Sequence, residues 1–273
     1  MTSTSMSRPT YQSSFSENEA ENYERHFVPV IGGLFALDLV NEAGLRAGET
    51  VLDVACGTGT IARLAAARVA PRGAVSALDV SAAMLGVARS LPSELPIKWY
   101  ETAAESVPLP DHSFDVVFCG LALQFFTDKP AALREMHRVL KPGGRLYLNT
   151  PMPNAFFDVL DRAIARHVSE EASTFVHAVF SLNDPDELSA LLSDAGFTGV
   201  ASRPHQRKLR LPATIDFMWQ YIYCTPLMSV LPRSGNAQTE ALERDVAAGW
   251  EPWTKGDGMT VDQSVLYGSA HRK

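Results

Sequence analysis

Short apolar runs alternate with stretches of helical periodicity from residue 51 onward. The apolar run 51–55 is followed by Gly57 and Gly59, which is typical of a buried strand that enters a tight turn. A helical pattern begins at Ile61. This alternation predicts an α/β fold with a doubly wound, mostly parallel sheet that carries helices on both faces. Seven strands are predicted, the others at residues 74–79, 97–101, 115–120, 145–150, 199–211 and 263–271.

Residues that start and stop helices support these boundaries. Ser81 is expected to cap the helix after the second strand, and Asp128 to open the helix that ends at the turn 141–144. Asp184 precedes a Pro and an acidic pair and predicts a capping box. Gly196 follows that helix, where a left-handed residue commonly ends one.

Two stretches, residues 151–180 and 212–253, do not follow the alternation and are rich in aromatic side chains. Insertions near the carboxyl ends of strands usually form the wall and lid of a pocket, so we predict helical lid segments there. The alternative is that the aromatic residues only fill a helical core. Residues 1–20, rich in Ser and Thr, are predicted to be a flexible leader before one domain at 21–273.

Composition narrows the classes of partner. A formal net charge of −7 disfavours a nucleic-acid surface, which needs a basic field. The three cysteines form neither a CxxC pair nor a zinc spacing, so we expect no metal site and a reduced, cytoplasmic setting. No apolar run approaches the roughly 18 residues of a membrane span, so none is predicted. The sequence leaves open whether the protein forms a homodimer.

The glycine turn is ambiguous by itself. The segment 57–62 fits the loose dinucleotide-binding pattern, and Asp79 follows at the distance of a ribose-binding acid, so a nicotinamide-dependent oxidoreductase fits as well. Asp53, inside the strand before the turn, favours another ligand. A carboxylate there suits a cationic ammonium and would repel a diphosphate.

The segment 51–59 resembles the first motif of class I S-adenosylmethionine-dependent methyltransferases, closest to the ubiquinone/menaquinone C-methyltransferase-like group. Segments 78–85, 104–115 and 138–146 resemble later motifs of this family in the same order, and the likeness covers residues 23–150. It implies the Rossmann-like methyltransferase fold and S-adenosylmethionine as cofactor.

The resemblance also implies roles for single residues. Asp53 and the backbone of Ala55, Gly57 and Gly59 would hold the methionine portion, and Asp79 would bind the ribose hydroxyls. Ala103 departs from the Asp or Asn common in relatives, so it offers no side-chain acceptor to the adenine amino group. The remaining contacts implied are those of Tyr23, Val80, Met84, Ala104, Glu105 and Cys119.

The acceptor is predicted to be a small aromatic or hydrophobic molecule, such as a natural-product intermediate, methylated on oxygen or carbon. No general base stands out, and His177 in the first lid segment is our candidate. The expected acceptor contacts are Gln124, Phe125, Phe156, Phe180, Trp219 and Tyr223.

Two alternatives remain open at this point. The same fold can bind S-adenosylmethionine and catalyse a reaction other than methylation. The chain could also methylate a protein or nucleic acid, although no Asn-Pro-Pro-Tyr-type segment follows the fourth strand, where many enzymes that methylate amino groups of nucleic acids carry one.

Overall fold

The computed structural model describes residues 16–229 and 237–273. In this part of the chain one mixed sheet has the strand order β3-β2-β1-β4-β5-β8-β6, and a two-residue strand, β7, pairs with β8. Neighbours from β3 to β5 are parallel, whereas β8 runs antiparallel to β5 and β6. The predicted fold class is confirmed. The strands are β1 Thr50–Val54, β2 Ala74–Asp79, β3 Ile97–Glu101, β4 Phe114–Gly120, β5 Leu140–Pro151, β6 Thr198–Leu211, β7 Thr254–Lys255 and β8 Gly258–His271.

Helices cover both faces of the sheet, and several begin at the predicted caps. The Ser81 hydroxyl accepts from the N–H of Met84, and Asp128 accepts from that of Ala131. Gly196 has φ +94°, in the left-handed region expected after a helix end. The α-helices are α1 Glu17–Asn22, α2 Gly33–Ala43, α3 Thr60–Val69, α4 Ala82–Ser90, α5 Lys129–Val139, α6 Ala155–His167, α7 Glu170–Val179, α8 Pro185–Asp194, α9 Thr214–Tyr223 and α10 Ala237–Trp250, with 3₁₀ turns at Leu123–Phe125, Pro226–Ser229 and Glu251–Trp253.

Strand alternation divides the interior into two apolar cores. In β4, Phe118 lies in the core beneath α2, α3 and the inserted helices, whereas Val117 lies in the core beneath α5 and α8. In β1, Val51 and Leu52 separate in the same way. Asp53 therefore shares a face with Val51 and lies against α3.

The predicted lid segments contain the helices α6, α7, α9 and α10, which pack together as one helical cap. Trp250 on α10 is fully buried, stacks on Phe156 of α6 with ring centroids 4.2 Å apart, and donates from Nε1 to the Phe156 carbonyl at 2.7 Å. This contact joins two segments that are far apart in the chain.

The N-terminal helical stretch begins within the predicted leader. Glu17 opens α1, whose N-cap Ser16 forms a capping box with Glu19, and Ala20 is fully buried. Residues 17–20 thus belong to the folded domain, and residues 1–15 lie outside the described part. A π-helical segment, Tyr23–Gly32, follows and contains Pro29, which lacks the N–H that a regular helix needs.

By length and composition alone, the stretch Glu17–Ala43 is the one helix among residues 16–229 and 237–273 that could cross a membrane. Part of its apolar surface is buried in the fold. Phe35 and Leu39 are fully buried in the core next to β4.

Candidate functional site

Two adjoining cavities open at the carboxyl ends of β1, β2 and β4, where doubly wound sheets bind ligands. The inner pocket is lined by Gly32, Asp53, Thr58, Ile61 and Asn149. The main cavity runs from Asp79, Val80 and Met84 to an acceptor half, which we define by Gln124, Phe125, Phe157, Phe175, Phe180 and Tyr221. Both cavities share the residues Tyr23, Ala55, Cys56, Gly120 and Leu121.

The glycine turn after β1 is held by Asp79 at the end of β2. Gly57 has φ +54°, which glycine adopts without strain, and its N–H donates to Asp79 Oδ2 at 2.8 Å. Asp79 Oδ1 accepts from the N–H of Ser81 at 2.8 Å. Burial raises the pKa of the Asp79 carboxyl, and these backbone donors oppose that rise. The carboxylate lines the main cavity and retains lone pairs for a hydroxyl.

Asp53 is unusual because its carboxyl group is buried and only partly hydrogen-bonded. Its Oδ2 accepts from the N–H of Ala62 at 2.9 Å, but its Oδ1 is buried and has no hydrogen-bond partner among the described residues. Burial raises the pKa of the carboxyl to about 8, and the charge of Asp79 adds to this, whereas the Ala62 N–H and Arg63 oppose it. An unpartnered buried carboxylate oxygen suits a cationic ligand.

Arg63 does not neutralise Asp53 by direct contact. Its guanidinium pairs with Glu24 of the N-terminal stretch at 3.0 Å and donates to the Thr58 carbonyl at 2.5 Å. The pair also ties the N-terminal stretch to α3, so that Tyr23 and Phe27, stacked at 4.7 Å, line the main cavity.

Two residues without glycine's freedom adopt left-handed backbone at the strand ends. Ala55 after β1 has φ +55° and Leu121 after β4 has φ +53°. The Leu121 N–H donates to Asn149 Oδ1 on β5 at 2.9 Å, which holds this turn. Strained residues often cluster at functional sites, and both of these line the two cavities.

The structure brings eight of the eleven residues predicted for cofactor binding to the lining of these cavities: Tyr23, Asp53, Ala55, Gly57, Asp79, Val80, Met84 and Ala104. The other three, Gly59, Glu105 and Cys119, are not among the lining residues, and their contacts with the cofactor stay predictions. Gly59, with φ +82°, packs so closely on Trp99 that a Cβ would lie 2.6 Å from that ring. Glu105 accepts weakly from the Asp128 N–H at 3.5 Å. Cys119 lies in the core beneath α5 and α8, and its neighbour Gly120 lines both cavities instead.

On the acceptor side, three residues that are predicted to contact the acceptor line the main cavity: Gln124, Phe125 and Phe180. Sequence reasoning missed Phe27 and Gln263, which also line it. The spacing of Tyr23, Phe27 and Ile31 by four residues was the available signal for one helical face. Nothing local marks Gln263 in β8, which reaches the cavity because β8 lies between β5 and β6.

The structure places three of the predicted acceptor contacts outside the lining of the main cavity. Phe156 lies in the cap interior, between Trp250 and Phe217. Trp219 donates from Nε1 to Glu243 at 2.8 Å and stacks on Tyr223, which is 40% exposed. These two side chains lie on the outer side of α9, whereas Tyr221 of the same helix lines the cavity.

His177, the candidate base, does not line either cavity. Its side chain is 64% exposed and pairs with Asp161 at 2.8 Å on the surface of the cap. Within the described ranges, no His, Lys, Arg or Glu lines the main cavity. Its titratable groups other than Asp79 are tyrosines and cysteines, and burial raises the pKa of Tyr23, Tyr221, Cys56 and Cys224.

Comparison with known proteins adds independent findings. A family model described as a methyltransferase domain matches residues 52–148. The chain is similar to the ubiquinone/menaquinone biosynthesis C-methyltransferase UbiE of Escherichia coli, with 35% identity over 176 residues that cover 58% of this chain and 70% of the relative. The enzyme of the same name from Shigella boydii matches to the same extent.

Solved structures share the fold. Haemonchus contortus phosphoethanolamine N-methyltransferase 2, in complex with phosphomonomethylethanolamine and S-adenosylhomocysteine, matches with a TM-score of 0.60 at 18% identity over 95% of this chain. The chain spans 58% of that enzyme's length. The YcgJ protein of Bacillus subtilis matches with a TM-score of 0.55 at 22% identity, over 88% of this chain and 98% of that one.

Proposed function

Because the chain belongs to the class I S-adenosylmethionine-dependent methyltransferases, in the ubiquinone/menaquinone C-methyltransferase-like group, we propose that it methylates a small aromatic or hydrophobic acceptor. The observation that carries this proposal is the acceptor half of the main cavity. Its wall is dominated by phenylalanine and tyrosine rings, and it adjoins the pocket that holds Asp53.

The residues present fit the cofactor. The unpartnered Oδ1 of Asp53 would accept from the ammonium of the methionine portion, and Asp79 would accept from the ribose hydroxyls. Val80 and Met84 supply apolar walls for the adenine, next to Ala103 and Ala104. S-adenosylmethionine supplies an electrophilic methyl group bonded to a sulfonium sulfur. The sulfur is a good leaving group, so the protein need not provide an acid.

The chain's own contribution to the reaction is alignment in a dry chamber. Rings such as Phe157 and Phe175 exclude water and restrict how an acceptor can lie, and this kind of positioning can lower a barrier by roughly 7–11 kcal/mol. With no histidine or lysine in the described cavity wall, the acceptor must be nucleophilic by its own chemistry. An electron-rich ring carbon of a phenol or hydroquinone meets this condition, and the name of the relative UbiE favours carbon.

The proposal is tested by methyl transfer from labelled S-adenosylmethionine to a panel of hydroquinones, phenols, aliphatic amines, sugars and peptides. We expect turnover with the aromatic acceptors, and mass spectrometry and NMR of the product identify the methylated atom. Preferred methylation of sugars, amines or peptides would overturn the proposal.

A variant pair connects the result to the cavity. Phe175→Leu removes a cavity ring and is expected to raise the acceptor KM several-fold with little change in the KM for S-adenosylmethionine. Phe197→Leu is the matched control, because Phe197 is similarly buried but packs against His137 on the other side of the sheet. A homodimer and a cytoplasmic location remain predictions.

A further inference from the structure

Besides the residues that define the acceptor half, Gln263 and Thr225 are polar residues that line the main cavity, and their side chains are already engaged in hydrogen bonds. Gln263 Nε2 donates to the carbonyls of Met152 at 2.8 Å and Ser264 at 2.6 Å, and its Oε1 accepts from Asn154. The Thr225 hydroxyl donates to the Ile222 carbonyl at 3.1 Å. These polar groups therefore bind other parts of the chain.

Gln124 differs from Gln263 and Thr225 because one of its polar atoms has no hydrogen-bond partner in the described part of the chain. Its residue lines the cavity and is 5% exposed, and its Nε2 donates to the Leu121 carbonyl at 2.9 Å. A carbonyl oxygen accepts only from a donor, so this bond fixes which end of the amide is nitrogen. The remaining atom, Oε1, is buried and has no partner within the described part of the chain.

Leu121 explains why the amide is held in this way. Its backbone is in the left-handed region, and its N–H is bound by Asn149. The Gln124 amide therefore binds the carbonyl of a turn that is fixed on both sides. The amide is consequently an ordered group, and its unpaired end is an acceptor.

We propose that Gln124 determines acceptor specificity by accepting a hydrogen bond from a hydroxyl group of the acceptor. A buried oxygen without a partner is unfavourable, and a bound hydroxyl relieves this cost, whereas an apolar analogue of the same shape does not. A carboxylate or phosphate is repelled by the same oxygen, and no Lys, Arg or His lines the described cavity wall to compensate. The inference rests on the proposed function and narrows the acceptor to an uncharged molecule that carries a phenolic or enolic hydroxyl.

The experiment measures binding, with no methyl transfer involved. The full chain, saturated with S-adenosylhomocysteine, is titrated with 2-naphthol, 2-methylnaphthalene and 2-naphthoate, and Kd is obtained by equilibrium dialysis. We expect 2-naphthol to bind about tenfold more tightly than 2-methylnaphthalene, as one well-made hydrogen bond allows, and 2-naphthoate to bind most weakly.

Gln124→Met keeps the length of the side chain and removes the acceptor. We expect the preference for 2-naphthol over 2-methylnaphthalene to fall to about twofold or less in this variant, since the hydrogen bond is lost. Gln206→Met is the matched control, because Gln206 is exposed on the edge strand β6 and outside the cavity, and it should keep the full preference. The Kd for S-adenosylhomocysteine verifies that each variant is folded.

The inference is overturned if the wild-type chain binds 2-naphthol no better than 2-methylnaphthalene, if 2-naphthoate binds best, or if Gln124→Met keeps the preference. If the variant fails to fold, the relative affinities of the wild-type chain for 2-naphthol, 2-methylnaphthalene and 2-naphthoate still test the inference. A hydroxyl preference without methylation of any aromatic acceptor would count against the proposed function and leave this inference intact.

Discussion

The site has a glycine-turn end, which spans the inner pocket and the adjoining part of the main cavity, and an acceptor end in the main cavity, and the two are built in different ways. At the glycine-turn end, Asp53, Gly57 and Asp79 come from two adjacent strands and the turns that follow them, and backbone N–H groups hold the carboxylates. At the acceptor end, the lining comes from the N-terminal stretch, the turn after β4, α6, α7, α9 and β8. The glycine-turn end is polar and is formed by segments close together in the chain. The acceptor end is apolar and is formed by segments that are far apart in the chain.

The comparison teaches where each kind of ligand contact is specified. Polar recognition of the cofactor depends on a few backbone bonds within short segments, so it should survive damage to the cap. The acceptor chamber depends on the packing of the cap and should be lost with it. The following predictions test this separation, beginning with the largest expected effect.

Trp250→Ala should have the largest effect on stability. It removes a fully buried ring that stacks on Phe156 and donates to its carbonyl, so we expect the free energy of unfolding to fall by about 3–5 kcal/mol in urea titrations. Affinity for S-adenosylhomocysteine, measured where the variant is folded, should change by less than about twofold if the two ends are separate. Trp253→Ala, at a half-buried ring, should cost less. A loss of cofactor affinity in step with stability would contradict the separation.

Asp53→Asn should weaken binding of S-adenosylmethionine by about 10- to 100-fold, which is about 1.4–2.8 kcal/mol, because the buried negative charge is lost. The free energy of unfolding of the ligand-free protein should be unchanged or higher at pH 8, since an unfavourable buried charge has been removed. Isothermal titration calorimetry and urea titration measure the two quantities.

Asp115→Asn is the control for that variant. Asp115 accepts from Lys141 at 2.8 Å and from Thr50, and these contacts hold its pKa below the usual value, although partial burial opposes them. This substitution should lower stability and leave cofactor affinity within about twofold. If both aspartates gave the same pattern, Asp53 would be only a structural carboxylate.

Cofactor affinity should depend on pH through Asp53. Its folded pKa of about 8 lies above the unfolded value of about 4, so the favourable contribution of the protonated group to stability is present below pH 4 and is lost as pH rises through 8. Binding of a cation requires the carboxylate and releases its proton. Affinity should therefore rise between pH 5.5 and 7 by up to about tenfold per pH unit. A pH-independent Kd in the wild-type protein would refute this, and Asp53→Asn should flatten the profile.

His177→Ala should have the smallest effect. The histidine contacts Asp161 at 2.8 Å on the surface, and exposed contacts of this kind contribute about 0–1 kcal/mol. We expect kcat of methyl transfer to change by less than about twofold. A large fall in kcat with an altered pH profile would restore this histidine as a base that reaches the cavity by a movement of the cap.

The sequence predicted the polar end of the site well, because the relevant residues lie within segments that carry their own signals. A strand that ends in glycines and an acid after the next strand require no knowledge of distant packing. Strand alternation also accounts for the difference between Cys119, whose side chain lies in the core beneath α5 and α8, and Gly120, which shares the face of Phe118 and lines both cavities. The positions of Phe156, Trp219, Tyr223 and His177 outside the cavity lining could not be predicted in this way. Periodicity shows that a helix is amphipathic, and it does not show which neighbour covers which face.

The sequence by itself determined the alternating α/β order, the caps, the glycine turn and the identity of its two acidic partners, because each follows from local backbone preferences and residue chemistry. Only the tertiary structure decided that Tyr221 lines the cavity while Tyr223 faces outward, and that Trp250 stacks on Phe156. It also decided that one oxygen of Asp53 and one of Gln124 have no partner among residues 16–229 and 237–273. These properties depend on which distant surfaces exclude water from one another. Burial and pairing are relations between segments, so no single segment encodes them.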